Sequence, residues 1–163
     1  MKPADLLLLL NEIYRDKSAL RARHVAGARL VGNYDFNNTY QYVINREDVH
    51  LSWLRDAIAD LGGTPEDASE PRLSASGKDA QQTVFREDSG QVQAFVEKWK
   101  PRVETISHAR NRTMLRLMLG ETLEQKRFFD QILAGREDLL GRRANGPGSP
   151  GTGDGVMGVR WVE

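Results

Sequence analysis

No cysteine occurs among the 163 residues. Disulfides, thiolate nucleophiles and Cys-ligated zinc are therefore excluded together, and any metal would have to be held by carboxylate and imidazole. Neither sign of charge dominates: 23 Lys+Arg stand against 23 Asp+Glu. A chain with no formal net charge exerts no broad pull on nucleic acid or on an anionic membrane, so neither is expected as a partner. Long apolar runs are also missing. The nearest is Leu6 to Leu10, which Asp5 precedes and Glu12 follows. It is too short to span a bilayer and lacks a small-residue cleavage site, so it reads as the start of a buried helix and implies a cytoplasmic protein. The length suffices for one full hydrophobic core and falls short of two ordinary domains.

What is present is helical periodicity. From about Pro3 to Val31 apolar residues recur at Leu6, Leu10, Ile13, Leu20 and Val31 without an internal proline, and Pro3 suits a first-turn position. Turn chemistry at Gly32-Asn33-Tyr34-Asp35 separates this from a second helix, from about Phe36 to Leu61, stopped by Gly62-Gly63. So short a connection predicts antiparallel packing. Residues 62 to about 78 are rich in Gly, Pro, Ser and acid and form an exposed connection able to cross from one hairpin to another. Val92, Phe95, Val96, Trp99, Val103 and Ile106 mark a third helix that Pro101 is expected to kink or interrupt. A turn at 107 to 111 precedes a fourth helix carrying Met114, Leu117, Met118, Phe128, Phe129 and Ile132 and ending near Leu140 or Gly141. The expected fold is all-α: an antiparallel four-helix bundle over residues 1–143, made of two helical hairpins with a long connection, followed by a flexible Gly/Pro-rich C-terminal tail over 144–163.

The second helix carries the main chemical signal. Steps of four and three residues from Phe36 pass through Tyr40, Val43, Glu47, His50, Leu54, Ala57 and Leu61. That is the stripe of a helix facing a bundle core, and every member is apolar or aromatic except Glu47 and His50. Burying a carboxylate and an imidazole costs several kcal/mol unless each is paired or bound to a metal. Three residues apart, the two side chains project to one side, the Glu-x-x-His arrangement with which helical bundles hold iron or manganese. A buried Glu–His ion pair would meet the same need.

With the hairpins, the stretch REDVHLSWLRDAIADLGG from Arg46 to Gly63 and GETLEQKRFFDQIL from Gly120 to Leu133, the chain over about residues 3 to 140 resembles the ferritin-like superfamily of ferritins, bacterioferritins and rubrerythrin-type proteins. The resemblance implies two irons held by a Glu on each of helices 1 and 3 and by Glu-x-x-His on helices 2 and 4, with ferrous iron oxidised by dioxygen or peroxide. Glu47 and His50 match the helix 2 motif. Glu121 and Glu124 match the helix 4 motif in part, on a stripe of Met114, Leu117, Glu121, Glu124 and Phe128, but Arg127 stands where the second histidine would be. For the helix 1 ligand Glu12 is favoured over Asp16. For helix 3, Glu97 faces Glu121 across a hairpin turning near residue 109 but lies off the stripe of Phe95, Trp99 and Val103. Asp88 continues that stripe and, preceding Ser-Gly-Gln, reads as a helix N-cap. The implied metal set is thus Glu12, Glu47, His50, Glu97, Glu121 and Glu124.

Other features have plainer readings. His24 shares a face with Leu20 and Val31 and reads as a hydrogen-bonded core or rim residue, and His108 as a solvated turn residue. Tyr14, Tyr40, Tyr42 and Trp53 at helical spacing read as packing, and Arg21, Arg23 and Arg29 as a solvated face. In the tail, Met157, Val159 and Trp161 alternate in strand-like fashion behind the linker, a pattern that calls for docking on the bundle or on a partner. It is loosely similar to the Gly-linked C-terminal peptide of ferritin-like proteins packed inside encapsulin shells.

Two functions compete. One is a ferritin-like iron or manganese protein, a homo-oligomer with ferroxidase or peroxide-linked activity in iron handling or stress response. The other is a metal-free bundle acting as a structural or interaction protein that docks a partner or shell through its tail. A membrane-surface module built on the leucine run is made unnecessary by the complete four-helix pattern.

Overall fold

The computed structural model describes residues 2–73, 79–137 and 139–140. Its elements are α1 (Pro3–Ala28), α2 (Tyr34–Ala59), α3 (Ala80–Glu104) and α4 (Ala109–Leu133). Pro3 opens α1 as expected, where its missing N–H costs no helical bond. The leucine run enters the core: Leu6, Leu9 and Leu10 are buried and Leu8 points outward. Asn33 caps α2 by accepting from the Phe36 amide at 3.1 Å. Past the end of α2, Gly62 takes a left-handed φ of 77°, and at Gly63 an added Cβ would come within 2.6 Å of Leu7 Cδ1 and 2.8 Å of Ile58 Cγ2. The Gly-Gly pair is thus required by backbone conformation and by close packing.

α1 packs on α2 and α3 on α4 as hairpins, with α1 also against α3 and α2 against α4. Ion pairs set the directions. Arg102–Glu12, Lys98–Asp16 and Arg23–Glu87 run in opposite order along α1 and α3, so these two are antiparallel. Arg46 and His50 meet Glu121 while Tyr42 meets Phe128, which makes α2 and α4 antiparallel as well. The diagonal helices α2 and α3 are therefore parallel, and the link between them must climb the length of the bundle. It does so over α1: Asp67 accepts from Tyr14 and Arg55, the Ala68 amide donates to Ser18 Oγ at 2.8 Å, and Glu70 pairs with Arg29. The crossing connection expected from the Gly/Pro/Ser stretch is present.

Three details differ from the sequence expectation. α3 starts at Ala80, well before the Val92 stripe, and runs through Pro101. Proline removes only its own N–H bond, and Pro101 lies in the last turn before Thr105. Asp88 lies inside α3 and is fully buried, so it is not an N-cap. α4 stops at Leu133, short of Leu140, because Gly135 adopts a left-handed φ of 83° and its amide bonds to the Ile132 carbonyl at 2.9 Å. No described helix is long and apolar enough to cross a membrane. The tail boundary at 144 and the alternating Met157, Val159 and Trp161 lie outside the described residues.

Candidate functional site: a buried charge network

The stripe of α2 is buried as its spacing requires: Tyr40, Val43, Glu47, His50, Leu54 and Ala57 all face the interior. Opposite it, α1 presents Leu6, Leu10, Ile13, Lys17, Leu20 and His24 at the same alternation of four and three residues, all buried. From α4 come Leu115, Met118, Thr122, Gln125, Phe129 and Ile132. These seams bring several polar groups together in an otherwise apolar core.

Glu47 is their centre. Its Oε1 accepts from Lys17 Nζ at 3.1 Å and its Oε2 lies 2.9 Å from His24 Nδ1, with all three side chains wholly buried. Lys17 Nζ also donates to Thr122 Oγ1 at 3.1 Å, and Thr122 in turn donates to the Met118 carbonyl at 2.8 Å. The ammonium sits 5.4 Å from the centroid of the Phe95 ring, within cation–π range. Lys17 thus ties α1 to α2 and α4 and lies over an aromatic of α3.

A second group adjoins the first at the rim. His50 Nε2 lies 2.7 Å from Glu121 Oε2, which also accepts from Arg46 at 2.6 Å. With Nε2–H donating to the carboxylate, His50 Nδ1 is left as a bare acceptor, and it has no partner among the described residues. His24 Nε2 and both polar atoms of Gln125 are likewise buried without one. Further along the core, Asp88 accepts from the Tyr40 hydroxyl and from Arg23 Nε at 2.7 Å.

The electrostatics follow from this geometry. Burial alone pushes the Glu47 carboxyl up, but the charges of His24 and Lys17 and their hydrogen bonds outweigh it and hold the group down at about 2. Glu47 is an anion at neutral pH. Burial lowers Lys17, with Glu47 opposing that shift. His50 is pulled down to about 4 by burial and by the nearby Lys17 charge, against the Glu121 contact, and is neutral at pH 7. At Glu121 burial acts upward, but Arg46 and His50 together bring the carboxyl below its ordinary value. Burial first and Asp88 second raise the Tyr40 phenol far above its usual range.

Of the six residues that the sequence singled out, the fold brings three together: Glu47, His50 and Glu121. The other three lie elsewhere. Glu12 pairs with Arg102 at the surface, Glu97 accepts from Gln93, and Glu124 forms an exposed pair with Arg127. The expected stripe on α4 is offset by one residue. Glu121 sits at the rim, Leu117 is 54% exposed, and Thr122 and Gln125 occupy the core positions. The alternative helix 1 ligand, Asp16, accepts from Lys98 and from Trp99 Nε1 at the surface edge.

Sequence reasoning missed Lys17. A signal existed, since Ile13 and Leu20 on the α1 stripe are seven residues apart and position 17 completes the alternation between them. Thr122 and Gln125 gave none, because short polar residues on an amphipathic helix usually mark the solvent side. His24 met the expectation of a hydrogen-bonded core residue, and His108 caps α4 through the Asn111 amide.

As the chain stands, this donor set does not fit a divalent ion. Both oxygens of Glu47 are engaged, and the group on its inner side is an ammonium, which has protons to donate and no lone pair. Among the described residues no group of three His, Asp or Glu is placed to hold a metal. The chain matches no protein-family model and no curated protein.

Proposed function

We propose that this protein is a ferritin-like bundle that works as an interaction protein in the cytoplasm, and that it does not oxidise iron. The engagement of Glu47 carries the reading, because a carboxylate bonded through one oxygen to an ammonium and through the other to an imidazole is a neutralised element of the core. The resemblance in Arg46–Gly63 and Gly120–Leu133 supports the ferritin-like assignment, together with a bundle of two hairpins and a long crossover. Burial of Leu6, Leu9 and Leu10 in α1 supports reading the leucine run as core, in line with a cytoplasmic setting.

Partner contact then falls to the surface and to residues 144–163. A cavity of about 250 Å³ opens between α2 and α4, lined by Trp53, Ala57, Met114 and Leu117 with Asp56 and Asp60 at its edge. Half-exposed apolar side chains beside acidic ones suit a mixed apolar and basic segment. Met157, Val159, Arg160 and Trp161 have that chemistry.

The competing reading, an iron or manganese protein, draws on the buried ring nitrogens of His24 and His50 that lack a partner. The test is direct. The full chain, purified from iron-supplemented growth, is assayed for bound transition metal and for ferrous oxidation. Metal-free protein with oxidation at the buffer background is expected. Stoichiometric iron or manganese that Glu47→Ala and His50→Ala remove would sink the proposal. In a parallel arm, deletion of residues 144–163 or Leu117→Glu is expected to change the oligomeric mass or the set of co-purifying proteins. No change in either would count against an interaction role.

A further inference from the structure

Lys17 is the one ammonium in the buried core of the described bundle, and its position is specific. It arrives on α1, bonds Glu47 of α2 and Thr122 of α4 at 3.1 Å each, and lies above Phe95 of α3. Around it stand groups with lone pairs aimed inward or unused. Glu47 offers two oxygens, Glu121 bonds the adjacent His50, and the His24 and His50 rings each keep a buried nitrogen without a partner. A cluster of carboxylates and imidazoles in an apolar shell requires positive charge, which an ammonium can supply as well as a bound cation can. The two are mutually exclusive in space and opposite in donor character: a metal ion accepts lone pairs and the ammonium donates protons.

We propose that Lys17 is a resident cation that holds shut a latent divalent-metal site formed by Glu47, His50 and Glu121 with position 17 itself. This rests on the reading of the natural chain as metal-free and extends it, since it attributes that state to a single side chain. Exchanging the ammonium for a carboxylate removes the bound positive charge and adds a hard oxygen donor beside Glu47. The cluster then has three carboxylates and an imidazole, a set suited to Mn²⁺, Fe²⁺ or Co²⁺.

The experiment uses the full chain with Co²⁺ or Mn²⁺ alone as the probe. Lys17→Glu is expected to give a saturable Co²⁺ ligand-field absorption and a melting temperature that rises with metal concentration. The natural chain shows neither, and Lys17→Glu combined with Glu47→Gln loses both. Folding of Lys17→Glu only in the presence of Co²⁺ supports the proposal equally, because metal binding then supplies folding free energy. If Lys17→Glu remains unfolded with and without metal, Lys17→Gln decides: Co²⁺ affinity at least tenfold above the natural chain supports the idea, and no gain overturns it. A folded Lys17→Glu that ignores both ions overturns the latent site and leaves the metal-free reading standing. Glu47-dependent Co²⁺ binding by the natural chain overturns both.

Discussion

Lys17 Nζ and Glu47 Oε1 lie 3.1 Å apart with neither side chain exposing any surface, and the pair joins α1 to α2 in the middle of the core. The cost of burying each charge is offset only while the other is present, so the pair matters more through what its loss leaves behind than through its own net stabilisation. Removal of one member strands the other.

Lys17→Met is therefore expected to lower stability by about 3–5 kcal/mol, because it leaves Glu47 with only His24 to balance it. Lys17→Met combined with Glu47→Leu is expected to recover most of that loss. Guanidinium unfolding of the natural chain, the single variant and the double variant measures both. A single variant within about 1 kcal/mol of the natural chain, well inside the range of ordinary substitutions, would show that the pair is not a constrained core element.

Acid should weaken the fold from near neutrality downward. His50 is neutral in the folded state with its pKa depressed from 6.5 to about 4, so between these values the unfolded chain binds the proton more tightly and stability falls as pH falls. Glu47, depressed from 4.5 to about 2, stabilises fully above 4.5, and that contribution is lost as pH falls toward 2. Both groups push in the same direction. From pH 6.5 to 5 the His50 linkage alone amounts to about 2 kcal/mol, at about 1.4 kcal/mol per pH unit. Urea titrations at these pH values should show the slope, and His50→Gln should flatten it above pH 5.

Gly27 and Gly120 should respond oppositely to alanine. A Cβ at Gly27 would lie 3.1 Å from Asp88 Oδ2 and Val84 Cγ1 and 3.2 Å from Tyr40 Cε1, and Asp88 is held by Arg23 and Tyr40. The neighbours cannot give way freely, so overpacking of about 1–3 kcal/mol exceeds the gain of about 1 kcal/mol in helix propensity. At Gly120 nothing lies within 4 Å, and alanine should stabilise by up to about 1 kcal/mol. Thermal melts that move in the same direction for both variants would refute this packing account.

Glu12, Glu97 and Glu124 should be energetically replaceable. Each is surface-exposed and bonded to another exposed side chain, and exposed pairs contribute only about 0–1 kcal/mol. Glutamine at any of the three is expected to change the unfolding free energy by about 0.5 kcal/mol or less. Glu47→Gln is expected to cost several times more. Equal costs at exposed and buried positions would mean that the structure misplaces the core.

The amino-acid sequence by itself determined the number of helices, their antiparallel pairing into hairpins, the crossover between them and the burial of Glu47 and His50. These follow from local information: period, turn residues, and two titratable groups on a stripe whose other members are apolar. What only the tertiary structure decided is which way each helix is rotated and what meets what across the core. On α4, a one-residue offset moved Glu124 to solvent and put Thr122 and Gln125 inside, a difference of about 100° that a stripe apolar on two adjacent faces does not specify. Lys17 shows the same limit from the other side. Its long apolar stem lets it lie in the core or reach solvent, and only the presence of Glu47 on α2 and Thr122 on α4 at 3.1 Å turns it into a buried cation. A partner contributed by another helix is not encoded in the period of one's own.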